Sequence, residues 1–155
     1  MDAFLRVKRS NKSAAQSLIE FALLLPLLLL LILGAMDLGR LVTTKLALTN
    51  AAREGANFLS RNAFADEDVT LATRIQETKE IIKNEGQNAA ITNVIITDGE
   101  IDIPLGASPA CCTSGLPVSV TITQQVTLIY GNILQFLGFG SGSVEVSGAV
   151  QMRVK

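Results

Sequence analysis

The residue of this sequence with the clearest chemical potential is Glu20, which stands at the start of a long apolar run, AAQSLIEFALLLPLLLLLILGAM (residues 14–36). An ionisable side chain left unpaired in lipid costs on the order of a few kcal/mol, so such residues usually have a partner. The simpler alternative is that the Glu20 side chain only reaches back to the membrane surface. The sequence therefore predicts either a positively charged partner for Glu20 or a side chain that snorkels.

Two adjacent cysteines, Cys111 and Cys112, are the second chemical feature. Paired cysteines in an exported domain indicate oxidation, although the Cα atoms of neighbouring residues are closer together than a disulfide normally requires. Three states follow: a strained disulfide between the two, a cross-link between subunits, or two free thiols. We rank the intrachain disulfide first.

The rest of the chemical inventory is sparse. The chain has no His, no Trp and one Tyr. Because Cys/His metal sites and His-based triads need residues that are missing here, the sequence predicts no catalytic, metal-binding or cofactor-binding residue and no enzyme activity. The acidic run Asp66–Asp68 is predicted to cap a helix N-terminus, where negative charge is favourable.

Charge is distributed unevenly along the chain. Residues 1–15 carry four basic residues and one acidic residue, a net charge of +3, whereas the remainder has nine basic and thirteen acidic residues, a net charge of −4. Positive charge before an apolar segment predicts a cytoplasmic N-terminus and a C-terminal body outside the membrane. Because the basic patch is short and the body is acidic, no nucleic-acid partner is predicted.

The apolar run predicts a transmembrane helix, with the lipid bilayer as its partner. No residue from Phe21 to Met36 is charged. With Ser17–Glu20 included, the run is about 30 Å long as a helix, enough to cross a hydrocarbon core. Pro26 lacks a backbone donor, so it predicts either a kink that helps the helix to flex or a bend that is merely tolerated.

Helical periodicity continues beyond the apolar run to about Arg61. It predicts one helix of about 45 residues, about 65 Å long, of which half spans the membrane and half forms the spine of an outer domain. Small residues recur along it: Ala47, Ala51 and Gly55 at intervals of four, and Ala52 with Ala56. Either they let another helix or a sheet approach closely, or alanine stands there only as a good helix former.

Beyond this helix the patterns predict one more helix and a hairpin. The second helix is predicted from Asp66 to Gly86, with Gly86 as its C-terminal stop. Residues 91–103 are rich in β-branched side chains, and the turn signal Asp98-Gly99 divides them. They therefore predict a β-hairpin.

Alternating apolar residues predict two further strands, Val118–Leu128 and Val144–Val154, after a loop at residues 106–117. Together the patterns predict an α+β fold, in which the spine helix covers one face of an antiparallel sheet of about four strands. The segment Tyr130–Ser143 is predicted either to fold back over the open end of the sheet or to offer its apolar side chains to a partner or membrane surface.

The segment Gln16–Ala56 resembles the TadE-like family of pilin-related proteins of tight-adherence pili, relatives of the type IV pilins. The shared pattern is a basic leader, a glutamate followed by an aromatic residue, an apolar run with a proline, an acidic residue with Gly-Arg, and the motif NAAREGA. The C-terminal SGAVQMRVK is also similar to the closing strand of the family. The resemblance implies a type IV pilin-like fold.

The resemblance also implies roles for particular residues. In such proteins a prepilin peptidase cuts after a small residue, and the motif glutamate is fifth in the mature chain. Placing Glu20 fifth makes Gln16 first and puts the cut after Ala15, where the family usually has glycine. Glu20, followed by the aromatic Phe21, would then neutralise the new α-amino group of a neighbouring subunit and set the axial register. A pair within one helix is also allowed.

These inferences predict a structural protein: a minor pilin or pseudopilin of a tight-adherence pilus that helps to initiate, assemble or cap the filament. Its expected partners are a prepilin peptidase, other pilin subunits and the inner-membrane assembly machinery. The alternative is an uncleaved single-pass assembly factor. We expect a leader over residues 1–15, a membrane-and-spine helix over residues 16–62 and an outer domain over residues 63–155, in the bacterial inner membrane and, after assembly, a surface pilus.

Overall fold

The elements of the chain are those of an α+β protein, as predicted. A computed structural model describes residues 12–62, 69–89, 94–104, 115, 117–136, 138 and 142–154. In chain order the elements are α1 (Lys12–Asn62), α2 (Leu71–Asn88), a 3₁₀ turn (Asp98–Glu100), β1 (Ile101–Asp102), β2 (Pro117–Thr127), α3 (Ile129–Phe136) and β3 (Ser143–Arg153).

The helix α1 confirms the prediction of one long N-terminal helix. It contains 51 residues and is therefore about 77 Å long. The helix continues through Pro26 and ends at Asn62, whose side-chain amide donates to the carbonyl of Phe58 at 3.0 Å. We call residues 15–36 of α1 the membrane half and residues 37–62 the spine half.

The spine half lies between α2 and the sheet, and its small side chains make this possible. Ala51, Ala52 and Ala56 are fully buried. At Gly55 an added Cβ would lie 2.5 Å from Cγ1 of Ile82 in α2, closer than carbon atoms can pack. Of the two interpretations of this row of small residues, the structure supports the close approach of another element.

The sheet approaches α1 as closely as α2 does. A Cβ added at Gly148 in β3 would lie 2.6 Å from the backbone of Leu48 and Thr49. Leu48 is fully buried at this contact. The main core contains Ala47, Leu48, Ala51, Ala52, Ala56, Ile82, Val94, Ile96, Ile101, Val120, Ile122, Val126 and Val146.

The described strands form an antiparallel sheet in the order β1-β2-β3, three strands where about four were predicted. β2 and β3 pair along their whole lengths. The predicted alternation is confirmed in β2, where Val118, Val120 and Ile122 are buried. In β3 it is clearest in the middle, where Val146 and Gly148 face the core.

The predicted hairpin between residues 91 and 103 is wrong. Residues 94–97, the described part of its first strand, are not in a strand. The 3₁₀ turn Asp98–Glu100 follows them instead, and the backbone N–H of Thr97 donates to the carboxylate of Glu100 at 2.7 Å. Because this side chain closes the turn locally, β1 is free to pair with β2.

The second helix is present but begins at Leu71 rather than at Asp66. Thr70 caps it, since its hydroxyl oxygen accepts a hydrogen bond from the backbone N–H of Thr73 at 3.3 Å. Threonine is a favoured residue at this position because it satisfies one of the unpaired donors of the first turn. The acidic run Asp66–Asp68, to which capping was assigned, lies outside the described residues.

The predicted stop of this helix at Gly86 is also wrong. The helix continues to Asn88, and Gly86 is buried within it. An added Cβ at Gly86 would lie 2.6 Å from Cδ1 of Ile96. Glycine stands there because the segment after the helix packs back onto it.

Candidate functional site

The membrane half of α1 is largely uncovered by the rest of the described chain. All of its residues are exposed except Leu33 and Gly34, which are half-buried. It is long and apolar enough to cross a membrane, and none of its most apolar stretch is buried within the protein. Residues 1–11 of the predicted leader lie outside the described part. The helix therefore fits a single-pass membrane anchor.

Glu20 lies near the start of the membrane half and is exposed. Its Oε1 accepts a hydrogen bond from Nε2 of Gln16 at 3.2 Å. The two residues are one helical turn apart, so position 16 is within reach of this carboxylate on the same helix. The ion pairs among the described residues do not include Glu20. A positive partner for it therefore has to come from outside this set.

Three other predicted site residues lie on the surface of the same helix. Ala15, Phe21 and Pro26 are all exposed on α1. The predicted cut after Ala15 falls within the first turns of the helix, since α1 begins at residue 12. Cys111 and Cys112 lie outside the described residues, so their predicted disulfide stays a prediction.

Asp37, at the junction of the two halves of α1, received no role from the sequence. Its side chain is almost completely buried, and its two oxygens accept hydrogen bonds from the backbone N–H groups of Ile129 at 2.9 Å and Tyr130 at 2.7 Å. These donors belong to the first turn of α3, where helical N–H groups need acceptors and negative charge is favourable. Asp37 therefore fastens α3 to α1.

The sequence held one signal for this contact: a lone acidic residue directly after the uncharged run. That signal does not name the partner, because Asp37 and Ile129 are separated by 92 positions. Local patterns indicate helices and strands but not which distant helix end a carboxylate will cap. The contact was therefore missed.

An apolar groove of about 440 Å³ lies between α1 and the start of α3. It is lined by Leu30, Leu31, Gly34, Ala35, Asp37, Leu38, Leu41, Leu128 and Tyr130. The groove thus extends from the spine half into the membrane half. The described start of the segment Tyr130–Ser143 lies against α1. The sequence predicted that this segment covers the open end of the sheet or faces a partner or membrane, and neither prediction specified a contact with α1.

Three charged groups of the outer domain, Lys83, Asp98 and Glu80, pair with one another. Lys83 Nζ lies 2.8 Å from Oδ1 of Asp98 and 3.0 Å from Oε1 of Glu80. Two hydrogen bonds raise the pKa of Lys83: the one to Asp98 has the larger effect and the one to Glu80 the smaller. The hydrogen bond from Lys83 lowers the pKa of Asp98. The contact ties α2 to the 3₁₀ turn.

Within the part of the chain that the structure describes, no group of three or more His, Cys, Asp or Glu side chains could hold a metal ion. The prominent surface is an apolar helix with one carboxylate near its start. Such a surface is suited to association with lipid or with other helices. The candidate site is therefore a surface for association with lipid or with other helices.

The comparisons with known proteins agree with this description. The model of the TadE-like protein family matches residues 15–57, which include the membrane half and most of the spine half. The predicted resemblance is confirmed over that segment. A search of curated proteins and a search of solved structures each found no match.

Proposed function

We propose, from the family match over residues 15–57, that the chain is a minor pilin or pseudopilin that helps to assemble, initiate or cap a tight-adherence pilus. In this proposal α1 anchors the protein in the bacterial inner membrane, with the N-terminus in the cytoplasm and the α+β domain outside. A prepilin peptidase then cuts between Ala15 and Gln16.

The observation that carries the proposal is the contrast between the exposed membrane half and its single carboxylate. An uncovered apolar helix is satisfied by lipid, but an ionisable side chain at membrane depth usually has a partner. Glu20 contacts the neutral side chain of Gln16, and the ion pairs of the described residues do not include it. A cation next to Glu20 would give this carboxylate a charged partner.

Cleavage before Gln16 would supply that cation. The new α-amino group carries a positive charge, and oppositely charged groups in contact each favour the charged form of the other. Within one helix the amine would lie one turn from Glu20. Between two helices the same pair would form only at one displacement of one subunit along the other. The pair would therefore fix the axial register of the two subunits as their helices move from lipid into a helix bundle.

The charge itself is tested with Glu20→Gln, which keeps the shape of the side chain. Hydrogen bonds to charged groups contribute about 1.5–3 kcal/mol, and about 1.4 kcal/mol is tenfold, so we expect incorporation into sheared pili to fall about tenfold or more. Membrane insertion and expression should not change. Glu54→Gln, at an exposed position of the spine half, is the matched control. Normal incorporation of Glu20→Gln would contradict the proposed role.

Maturation is tested by N-terminal sequencing of the protein from membranes and from sheared pili of cells with their own prepilin peptidase. A mature chain beginning at Gln16 supports the pilin role. A chain that keeps its leader in every fraction would instead support an uncleaved assembly factor. That alternative is favoured by Ala15 at a position where the family usually has glycine, and by the location of the Ala15–Gln16 bond inside α1.

A further inference from the structure

Asp37 marks the point at which charge returns after the apolar run. If residues 17–36 span the hydrocarbon core, Asp37 lies at its outer edge, because this stretch is about 30 Å long as a helix. Its carboxylate is already occupied by the two backbone donors of α3, at 2.7 and 2.9 Å. The start of α3 is therefore held at the level where α1 leaves the bilayer.

The groove shows that the start of α3 lies on the hydrocarbon side of Asp37. Leu128 and Tyr130 line it together with Leu30 and Leu31 of the membrane half. Leu30 lies two helical turns before Asp37, which is about 10 Å deeper along the helix axis. The first turn of α3 therefore faces residues that the length of the apolar run places in hydrocarbon.

The composition around α3 suits the same environment. No residue from Ile103 to Val144 carries a charge. Ile129, in the first turn of α3, is 41% exposed. An exposed apolar side chain therefore lies next to the apolar groove. Tyr130 combines an apolar ring with a polar hydroxyl, as is typical of residues at the bilayer interface.

We propose that the start of α3 is a second membrane-contacting element, seated in the outer interface of the bilayer, with lipid acyl chains in the groove between α1 and α3. Asp37 is its positioning residue, since it holds α3 at a fixed depth beside the membrane half. The proposal rests on the bilayer-spanning placement of α1 and does not depend on cleavage or on incorporation into a filament.

The chain carries its own reporter for this proposal. Tyr130 is the one tyrosine and there is no tryptophan, so intrinsic tyrosine emission reports on α3 alone. The full chain is inserted into phosphatidylcholine vesicles that carry bromine atoms high on their acyl chains, and in parallel into plain vesicles prepared with iodide on both sides. We expect a loss of emission in the brominated lipid and little loss with iodide.

The role of Asp37 is tested with Asp37→Ala in the same vesicles. Loss of the two hydrogen bonds should release α3, so that bromine quenching decreases and iodide quenching increases. Asp102→Ala, at an exposed position at the end of β1, is the matched control and should behave like the unaltered protein. If Asp37→Ala does not fold, the quenching of the unaltered protein decides the proposal without it.

Two results would overturn the proposal. Emission that iodide quenches and brominated lipid does not would place Tyr130 in water. Emission protected from both quenchers at high protein content, and quenched by iodide after dilution with lipid, would assign the groove to a second copy of the chain. Either result would leave filament incorporation and N-terminal processing unaffected, so failure of this inference is distinguishable from failure of the pilin proposal.

Discussion

The two halves of α1 belong to one continuous helix but have opposite surroundings. In the membrane half the large side chains are exposed, with Leu28 at 51% and Leu23 at 75%. In the spine half, half of the buried positions are alanine or glycine, and Leu48 is fully enclosed. The side chains thus change from large in the half that the rest of the chain leaves uncovered to often small in the half that α2 and the sheet cover.

The difference shows where each half obtains its packing. Small residues bring backbones close together, so the spine half is packed by α2 and the sheet of its own chain. Bulky leucines need no close backbone when lipid surrounds them. The membrane half therefore has to obtain its contacts from lipid or from other subunits.

Removing a leucine from each half should give the largest difference. Leu48→Ala leaves a cavity in the core, and we expect the free energy of unfolding to fall by about 2–5 kcal/mol. Leu28→Ala removes the same atoms from an exposed position and should change it by less than about 0.5 kcal/mol. Urea unfolding of the full chain in detergent micelles, followed by circular dichroism, measures both. Equal losses would mean that the membrane half also packs onto the outer domain.

Adding a methyl group to a glycine should give a smaller contrast of the same kind. Gly55→Ala forces a Cβ against Ile82 and is expected to lower the free energy of unfolding by about 1–3 kcal/mol. At Gly39 an added Cβ meets nothing within 4 Å, so Gly39→Ala should raise it by about 0.5–1 kcal/mol through helix propensity. The same unfolding measurement compares the two. A stabilising Gly55→Ala would show that α2 can move away from α1 at little cost.

The smallest effect is expected from the ion pair between Lys83 and Asp98, because the spine half is held by apolar packing. The lowered pKa of Asp98 means that its contribution is present above the ordinary value of 3.8 and is lost as the pH falls through the lowered pKa. The raised pKa of Lys83 means that its contribution is present below 10.5 and is lost as the pH rises through the raised pKa.

Asp98→Asn should therefore lower the urea midpoint slightly at neutral pH and not at all well below pH 3.8, where the carboxylate is protonated in both states. Asp102→Asn, at an exposed carboxylate outside the ion pairs of the described residues, is the control. A large loss at neutral pH in Asp98→Asn alone would show that charge, rather than apolar packing, holds α2 in place.

Elements with a strong period could be predicted from the sequence. The helix α1 follows from a continuous apolar run and stripe, and β2 and β3 follow from strict alternation. For the row from Ala47 to Ala56 the sequence left two interpretations open, and the contacts of Gly55 support close packing. These signals are local and repeat over many residues, which explains their reliability.

Single residues with two possible uses were the source of the errors. Gly86 predicts a helix stop from sequence alone, but glycine also permits close approach, and only the position of Ile96 distinguishes the two uses. Asp98-Gly99 is a hairpin signal, yet the Glu100 side chain closes a 3₁₀ turn there. The partner of Asp37 was missed for the related reason that it depends on tertiary structure.

The close contact between Gly148 and Leu48 has a consequence for the order of events during synthesis. The strand that covers this face of α1 is made long after the helix, and at ~5–20 residues per second the interval is about 5–20 s. During that time the face of α1 that β3 covers, around Leu48 and Thr49, is open to any neighbouring helix. A nascent chain is therefore most prone to wrong pairing on the surface that the finished protein hides best.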